Sequence, residues 1–344
     1  MRWWIILLSV LCGCDRLLPL SHAPPEMDSA VGVEAGPLDL KSDPTDGEPT
    51  DLPPPKLNWM WWDGYSPLYA VWGQTADTVH FGGGTDEAKL YAYTYPHAGE
   101  PDGTPTERTA SEGQVIRSIH GSGKTVIAVG DGGTMLKFDT TTFDWSAVKS
   151  PKPSNDMTGV WVVSEQELWA VGVKPTLGGL VWHSAPVSLW LTLVPMHGIW
   201  AQPSGTAWAV GDGALVSPGA ASSDAISIDV PYDLTAIWGG SSGESWITTT
   251  TGQVLRYTPG PGTKLQVVHR CGTQKLHAIW GSSLNDLWVV GDANAICHFD
   301  GQVWTTVAPP QVTGLDLHGV WCSTKEVWIV GQNKNNEGVI LHGY

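Results

Sequence analysis

One position of a repeated pattern in this chain carries side chains that could do chemistry. The pattern contains an anchor residue, usually tryptophan, and the position lies three residues before it. Its occupants are Tyr69, Arg117, Thr158, His197, Thr235, His277 and His318. If the fold brings them together, the three imidazoles, the guanidinium and the phenol could bind an anion, a metal or a glycan. The alternative is that they bond neighbouring strands and fill space, because the histidines lack metal-ligand spacing.

A second repeated position, five or six residues after the anchor, is mostly acidic. Its occupants are Asp77, Thr125, Glu167, Thr206, Glu244, Asp286 and Glu326. Five carboxylates could attract a cation or a basic partner. We expect a structural role instead, because acidic residues favour turns and protect the edges of strands. Three further aspartates, Asp131, Asp212 and Asp292, follow a repeated glycine and are expected to form turns.

The elements that must position these residues follow from the repeat itself. The anchor recurs about every forty residues, as Trp72, His120, Trp161, Trp200, Trp238, Trp280 and Trp321. Each unit contains four short stretches of alternating polar and apolar residues, separated by Gly, Asp, Ser and Pro, which is the pattern of short strands. Tandem four-stranded units of this length are typical of propellers, in which the tryptophans pack between blades.

We therefore predict an all-β fold, a seven-bladed β-propeller with four-stranded blades over residues 57–344. The last unit lacks a fourth strand, and residues 57–62 form a strand without a partner in its own unit. We expect this N-terminal strand to close the last blade and so remove two open sheet edges. The composition agrees, because charged residues are only 15 % of the chain while it holds 41 glycines and 20 tryptophans.

The first residues predict export and a lipid anchor. Arg2 precedes an apolar run too short to span a bilayer, which ends in Leu11-Cys12-Gly13-Cys14 and resembles the bacterial lipobox. We expect residues 1–13 to be a lipoprotein signal peptide and Cys14 to carry the lipid; the alternative is an ordinary secretory signal. Residues 14–56, rich in Pro and acidic residues, should be a disordered tether. The expected location is the bacterial cell envelope, on the periplasmic face or cell surface.

The motif Trp280-Gly281 … Trp288-Val289-Val290-Gly291-Asp292 resembles the Trp-rich tandem repeats of secreted and lipid-anchored bacterial propeller-like proteins. It is more distantly similar to photosystem II assembly-factor propellers and to Asp-box (sialidase-like) propellers. The resemblance implies the fold but almost nothing about chemistry. Sialidase activity is not expected, because Arg117 is the only arginine predicted on an inner strand, whereas those enzymes use three.

Several classes of partner and cofactor can be assessed from composition. The net charge of −16 and the lack of a Lys/Arg cluster exclude nucleic acid. We expect no cofactor and no metal, and a monomer. Cys271 and Cys297 fall on the same side of the propeller and could form a disulfide, which would leave Cys322 free.

The sequence leaves two functions open. The first is a non-catalytic, membrane-tethered binding module that recognises an envelope protein or polysaccharide through propeller loops. The alternative is a propeller enzyme acting on glycans at the mouth of the channel, where the seven residues before the anchors would form its site.

Overall fold

The architecture comes from a computed structural model of the chain. It describes residues 16–17, 57–75, 77–94, 103–108, 110, 112–152, 154–218, 226–259, 264–309 and 313–344. Cys14, the predicted signal peptide and most of the predicted tether lie outside the described residues. In the part of the chain that is described, no helix has the length and apolar character needed to cross a membrane.

The regular secondary structure of the described residues is β-strand, apart from one short 3-10 helix at Asp131–Gly133. In the first half of the chain the strands are β1 (Arg16–Leu17), β2 (Trp59–Tyr65), β3 (Leu68–Thr75), β4 (Thr78–Gly83), β5 (Lys89–Thr94), β6 (Thr106–Arg108), β7 (Ile116–Ser122), β8 (Thr125–Gly130), β9 (Met135–Phe138), β10 (Trp145–Ala147), β11 (Asp156–Val162), β12 (Leu168–Val173) and β13 (Gly179–Ser184). In the second half they are β14 (Val187–Thr192), β15 (Met196–Ala201), β16 (Ala207–Ser217), β17 (Ile226–Gly239), β18 (Ser245–Thr249), β19 (Gln253–Thr258), β20 (Lys264–Arg270), β21 (Leu276–Ser283), β22 (Asp286–Gly291), β23 (Ile296–Phe299), β24 (Trp304–Thr306), β25 (Asp316–Cys322), β26 (Val327–Gln332) and β27 (Gly338–Gly343).

The strands hydrogen-bond into six sheets, so the predicted number of seven blades is wrong. Four sheets have four strands each: β3–β6, β7–β10, β21–β24, and β25–β27 with β2. A fifth consists of β11–β14 with β1 added in parallel at its edge. The sixth has six strands, because the long strand β17 pairs with β16 through its first half and with β18 through its second. The fourth and fifth repeats therefore share one blade.

The blades surround a central channel. Their inner strands contact one another in a closed cycle: β3, β7, β11, β15, β17, β21, β25 and back to β3. The six-stranded blade contributes both β15 and β17 to this cycle. Because each blade packs against a neighbour on both faces, the second strands are buried throughout, as β8 and β18 show. The chain is an all-β propeller, as the sequence predicts.

The N-terminal strand completes the last blade. β2 pairs antiparallel with β27, so that Trp59 lies opposite Gly343 and Trp62 opposite Ile340. The indole of Trp62 also stacks on Trp328, with ring centroids 6.0 Å apart and planes 8° from parallel. The first and last parts of the described propeller are thus joined by backbone hydrogen bonds and by aromatic packing.

Four of the anchor tryptophans pack between inner strands. Trp72, Trp200, Trp238 and Trp321 are each less than 10 % exposed. A β-carbon added at Gly73 would lie 2.5 Å from the ring of Trp321, and one added at Gly121 would lie 2.6 Å from the ring of Trp72. The missing side chain of glycine therefore makes the space that the indole occupies.

The anchors Trp161, Trp280 and His120 meet inside the channel instead. His120 stacks on Trp161 at 4.0 Å, and Trp280 lies 5.7 Å from His120 and 5.8 Å from Trp161. For these three anchors, the residue directly after the anchor of the next repeat is not glycine. It is Val162 for His120, Ala201 for Trp161 and Cys322 for Trp280. Since a β-carbon there closes the space between strands, these rings turn towards the axis. The prediction that the tryptophans pack between blades fails at Trp161 and Trp280.

Candidate functional site at the mouth of the channel

A β-bulge positions each of the seven predicted site residues, which we call the mouth ring: Tyr69, Arg117, Thr158, His197, Thr235, His277 and His318. In every inner strand, the pairing with the second strand shifts by one residue at this position. The residue before the bulge is fully buried and apolar in every case, and the residue after it is Gly, Ala or Ser. A bulge redirects the side chain that it carries, here towards the axis.

All seven side chains of the mouth ring line one cavity of about 150 Å³. Its walls continue below them into a layer of valine and isoleucine side chains, and His120, Trp161 and Trp280 form its floor. Burial lowers the pKa of His120 to about 3, so this imidazole is neutral at pH 7. A second opening, of about 310 Å³, lies on the opposite face and shares His120 and Trp161 with the first.

Arg117 is held on one side of the mouth ring by Asp131. Its Nε donates to Asp131 Oδ1 at 2.8 Å and its Nη2 to Oδ2 at 2.6 Å, a bidentate arrangement. The guanidinium also lies over the ring of Tyr69, 4.7 Å from its centroid. The hydrogen bonds to Asp131 are the main reason that the pKa of Arg117 is raised.

Two histidines of the mouth ring are paired with aspartates in the same way. His197 Nε2 lies 2.7 Å from Asp212 Oδ1, and His277 Nε2 lies 2.7 Å from Asp292 Oδ1. Burial is the largest influence on His277 and lowers its pKa, although Asp292 acts in the opposite direction.

The aspartates after the repeated glycine are therefore partners of the mouth ring in three repeats. From the sequence alone, we predict Asp131, Asp212 and Asp292 only as turn formers, so their partnership with the mouth ring was missed. A signal was available, because each occurs in a repeat whose mouth-ring residue is Arg or His. The last repeat is the exception. Its mouth-ring residue is His318, but the residue after its repeated glycine is Gln332 instead of aspartate.

His318 has a different environment from the other two histidines. Its ring lies 5.1 Å from Tyr69 and 4.7 Å from His277, measured between centroids. Its Nε2 is buried and has no hydrogen-bond partner among the described residues. Burial first, and then the neighbouring His277, lowers the pKa of His318 to about 4.

The two threonines of the mouth ring bond within the propeller. Thr158 Oγ1 donates to the Met196 carbonyl at 2.6 Å, which links adjacent inner strands. Thr235 Oγ1 lies 2.8 Å from Thr248 Oγ1. Most polar side chains of the mouth ring are thus oriented by hydrogen bonds to neighbouring groups.

The second repeated position does not form one collective acidic site. Glu167 pairs with His183 at 2.9 Å, Asp286 with His298 at 2.8 Å and Glu326 with His342 at 2.7 Å. Glu244 pairs in the same way with Arg256. These basic side chains stand on the third strand, directly opposite the tryptophans Trp169, Trp246, Trp288 and Trp328. Most of these acids therefore stabilise individual blades.

Among the remaining residues selected from the sequence, Cys271 and Cys297 form a disulfide, and Cys322 is a buried free thiol. Burial raises the pKa of the Cys322 thiol well above its usual range. Within the described ranges, no group of three or more His, Cys, Asp and Glu side chains is arranged to hold a metal ion.

Comparison with known proteins gives similarity of fold only. No protein-family model and no curated protein matches the sequence. Among solved structures, YCF48 bound to D1 peptide has a TM-score of 0.62 and 14 % identity, covering 83 % of this chain and 94 % of that one. YCF48 from Cyanidioschyzon merolae has a TM-score of 0.60 and 13 % identity, with coverages of 83 % and 98 %. The WD40 β-propeller domain of Doa1 has a TM-score of 0.64 and 9 % identity, with coverages of 83 % and 97 %.

These neighbours confirm the predicted distant similarity to assembly-factor propellers at the level of fold. The predicted likeness to Trp-rich bacterial lipoproteins, and to Asp-box propellers, stays a prediction.

Proposed function

We propose that this protein is a non-catalytic binding module that recognises a segment of a protein partner at the mouth ring. The observation that carries the proposal is the set of seven bulges, which direct one side chain from each inner strand into a single polar cavity. Neighbouring groups fix the orientation of most of these side chains before a ligand arrives, and such preorganisation lowers the entropic cost of binding. The similar fold of YCF48, solved with a peptide bound, supports this assignment.

The proposal includes a membrane tether at the cell envelope. Cys14 would carry the lipid, and residues 15–56 would connect the lipid to the propeller. Substituting Cys14→Ser in the full chain, expressed in a bacterium, should move the protein from the membrane fraction to the soluble fraction and abolish labelling by palmitate. Unchanged membrane association of C14S would contradict the tether.

Recognition at the mouth ring can be tested by selecting peptides from a displayed random library against the full-length protein. Selected peptides should bind a Tyr69→Ala variant at least tenfold more weakly. Tyr344→Ala is the matched control, because Tyr344 is an exposed tyrosine outside the cavity.

The selection contradicts the proposal if peptides bind both tyrosine variants equally, or if none is enriched. Enrichment of glycans on an array instead of peptides, with the same dependence on Tyr69, would indicate a polysaccharide partner and also contradict it.

A further inference from the structure

The charges around the mouth ring indicate which ligand chemistry it favours. The carboxylates of Asp131, Asp212 and Asp292 lie within hydrogen-bond distance of mouth-ring side chains. The ring itself contains one permanent cation, Arg117. The three carboxylates and Arg117 together carry two net negative charges. We propose that the mouth ring binds the ammonium group of a lysine side chain in the partner segment, an inference that rests on the proposed function.

His277 and His318 add little positive charge at neutral pH. Burial lowers the pKa of His277, and burial together with His277 lowers the pKa of His318 to about 4. Both side chains pack closely at one arc of the mouth ring, where their rings are 4.7 Å apart. An ammonium ion entering the cavity on this side therefore meets two imidazoles that are uncharged at neutral pH.

The pairing of histidine with aspartate also fixes which ring nitrogen can accept a hydrogen bond. A carboxylate accepts, so His197 and His277 must donate from Nε2 to Asp212 and Asp292. A neutral imidazole that donates from Nε2 has Nδ1 as its acceptor. Each carboxylate keeps its second oxygen, Oδ2, beside the oxygen that the imidazole uses. An ammonium group has three donors and no acceptor, which matches this set.

The neighbouring part of the mouth ring, where Tyr69 lies between His318 and Arg117, is unfavourable for an anion. The Nε and Nη2 of Arg117 are bonded to both oxygens of Asp131, and its guanidinium lies over Tyr69. An anionic ligand that took over these donors would leave the carboxylate of Asp131 without its counter-ion. A cation binding beside His197 and His277 disturbs neither contact.

The rim of the cavity extends the acidic character. Asp156 Oδ1 accepts from the backbone N–H of Gly132 at 2.8 Å, and Asp316 Oδ1 from that of Ala293 at 3.2 Å. Lys275 acts against this charge, since it contributes to lowering the pKa values of His277 and His318. Among the described residues named at this mouth, the acids still outnumber the bases. A cavity of about 150 Å³ accommodates the end of one side chain rather than a folded element.

We test this with n-butylammonium chloride, which reproduces the end of a lysine side chain, and with n-butyramide as its neutral counterpart. Both are titrated into full-length protein while the imidazole C–H resonances of His197, His277 and His318 are followed by NMR. Butylammonium should shift these resonances and bind at least tenfold more tightly than butyramide. Asp212→Asn and Asp292→Asn should each weaken its binding at least threefold.

Asp286→Asn is the matched control. It removes the same charge from the same kind of His–Asp pair, but its histidine, His298, does not line the mouth-ring cavity, whereas His197 and His277 do. Binding of butylammonium to D286N should equal that of the unsubstituted protein. Equal binding of butylammonium and butyramide, or equal losses in D212N and D286N, would overturn the inference.

The peptide selection separates this inference from the proposed function. Peptides that bind through Tyr69 should contain a lysine whose replacement by glutamine weakens binding at least tenfold. If peptides need Tyr69 but tolerate that replacement, the lysine inference fails and the proposed function stands. If the selected peptides do not need Tyr69, the proposed function fails as well.

Discussion

The indole of Trp321 covers the α-carbon of Gly73 so closely that a β-carbon there would lie 2.5 Å from the nearest atoms of the ring. Trp72 lies in the same way over Gly121, and a β-carbon at Gly239 would lie 3.0 Å from Trp200. Each pair joins the inner strands of neighbouring repeats. A glycine directly after one anchor is thus required by the tryptophan of the repeat before it.

Substituting Gly121→Ala should lower the free energy of unfolding by roughly 2 to 3 kcal/mol, because Trp72 and the backbone must move to admit a methyl group. Ala201→Gly, at the same position of a repeat whose preceding Trp161 lies in the channel, should cost only about 1 kcal/mol. Denaturant unfolding of both variants measures the difference. Equal losses would contradict the role that we assign to the glycine.

Deleting residues 57–62 should lower the melting temperature by roughly 10 °C or more, because closure of the last blade is lost. The deletion removes the pairing of β2 with β27 and the stacking of Trp62 on Trp328, and it exposes the edge of β27. Differential scanning calorimetry measures the change. A variant that melts at the temperature of the intact protein would show that β2 contributes little to closure.

The protein should lose stability in acid partly because of His80. This imidazole is fully buried, neither ring nitrogen has a hydrogen-bond partner among the described residues, and burial lowers its pKa to about 4. Between about pH 6.5 and pH 4, His80 is therefore protonated in the unfolded chain but neutral in the folded chain. Stability is lost as the pH falls through this window, by roughly 3 kcal/mol for this residue when the loss is complete.

The variant His80→Phe isolates this effect. Phenylalanine suits the aromatic surroundings of Phe138 and Trp145, and it carries no nitrogen to leave unbonded. We expect H80F to be more stable at pH 7 and to lose less stability as the pH falls from about 6.5 to about 4, as measured by urea unfolding across this range. An unaltered pH dependence would show that other histidines, such as His120, dominate the acid response.

The acids of the second repeated position should differ sharply in how much each contributes to the free energy of unfolding. Glu326 and His342 are 11 % and 5 % exposed, and Glu326→Ala leaves His342 Nε2 buried without its acceptor. This should cost about 2 kcal/mol or more. Asp77 is exposed, so Asp77→Ala should cost less than about 0.5 kcal/mol. Chemical unfolding of both variants checks the contrast, and a similar cost for the two would contradict it.

The period of the repeat predicts the strands, and it also selects the seven residues that line one cavity. Every occupant of the position before the anchor lines the same cavity, since the same bulge occurs in every inner strand. The number of blades was not predictable in this way. A repeat count assumes that each unit forms its own sheet, whereas β16 and β17 continue far enough to pair with each other and join two repeats.

The orientation of the anchor side chains also could not be predicted from the sequence. The repeat pattern places Trp161 and Trp200 at equivalent positions, yet the first lies in the channel and the second between strands. Their orientation depends on one residue in the following repeat, Ala201 in one case and Gly239 in the other. The pairing of Asp212 with His197 similarly depends on two positions that vary together, and a search for single repeated residues does not detect it.

The closure of the last blade by β2 also constrains the order of folding. Apart from the two-residue β1, the strand that completes the propeller is made before every other strand, and its partner β27 is made after all of them. During synthesis the blades can form one after another. Until β27 is made, however, the ring of blades stays open and the tryptophan-rich strand β2 stays unpaired. Because joining such distant segments is slow and exposed edges aggregate, the incomplete chain has the greatest need of protection by chaperones.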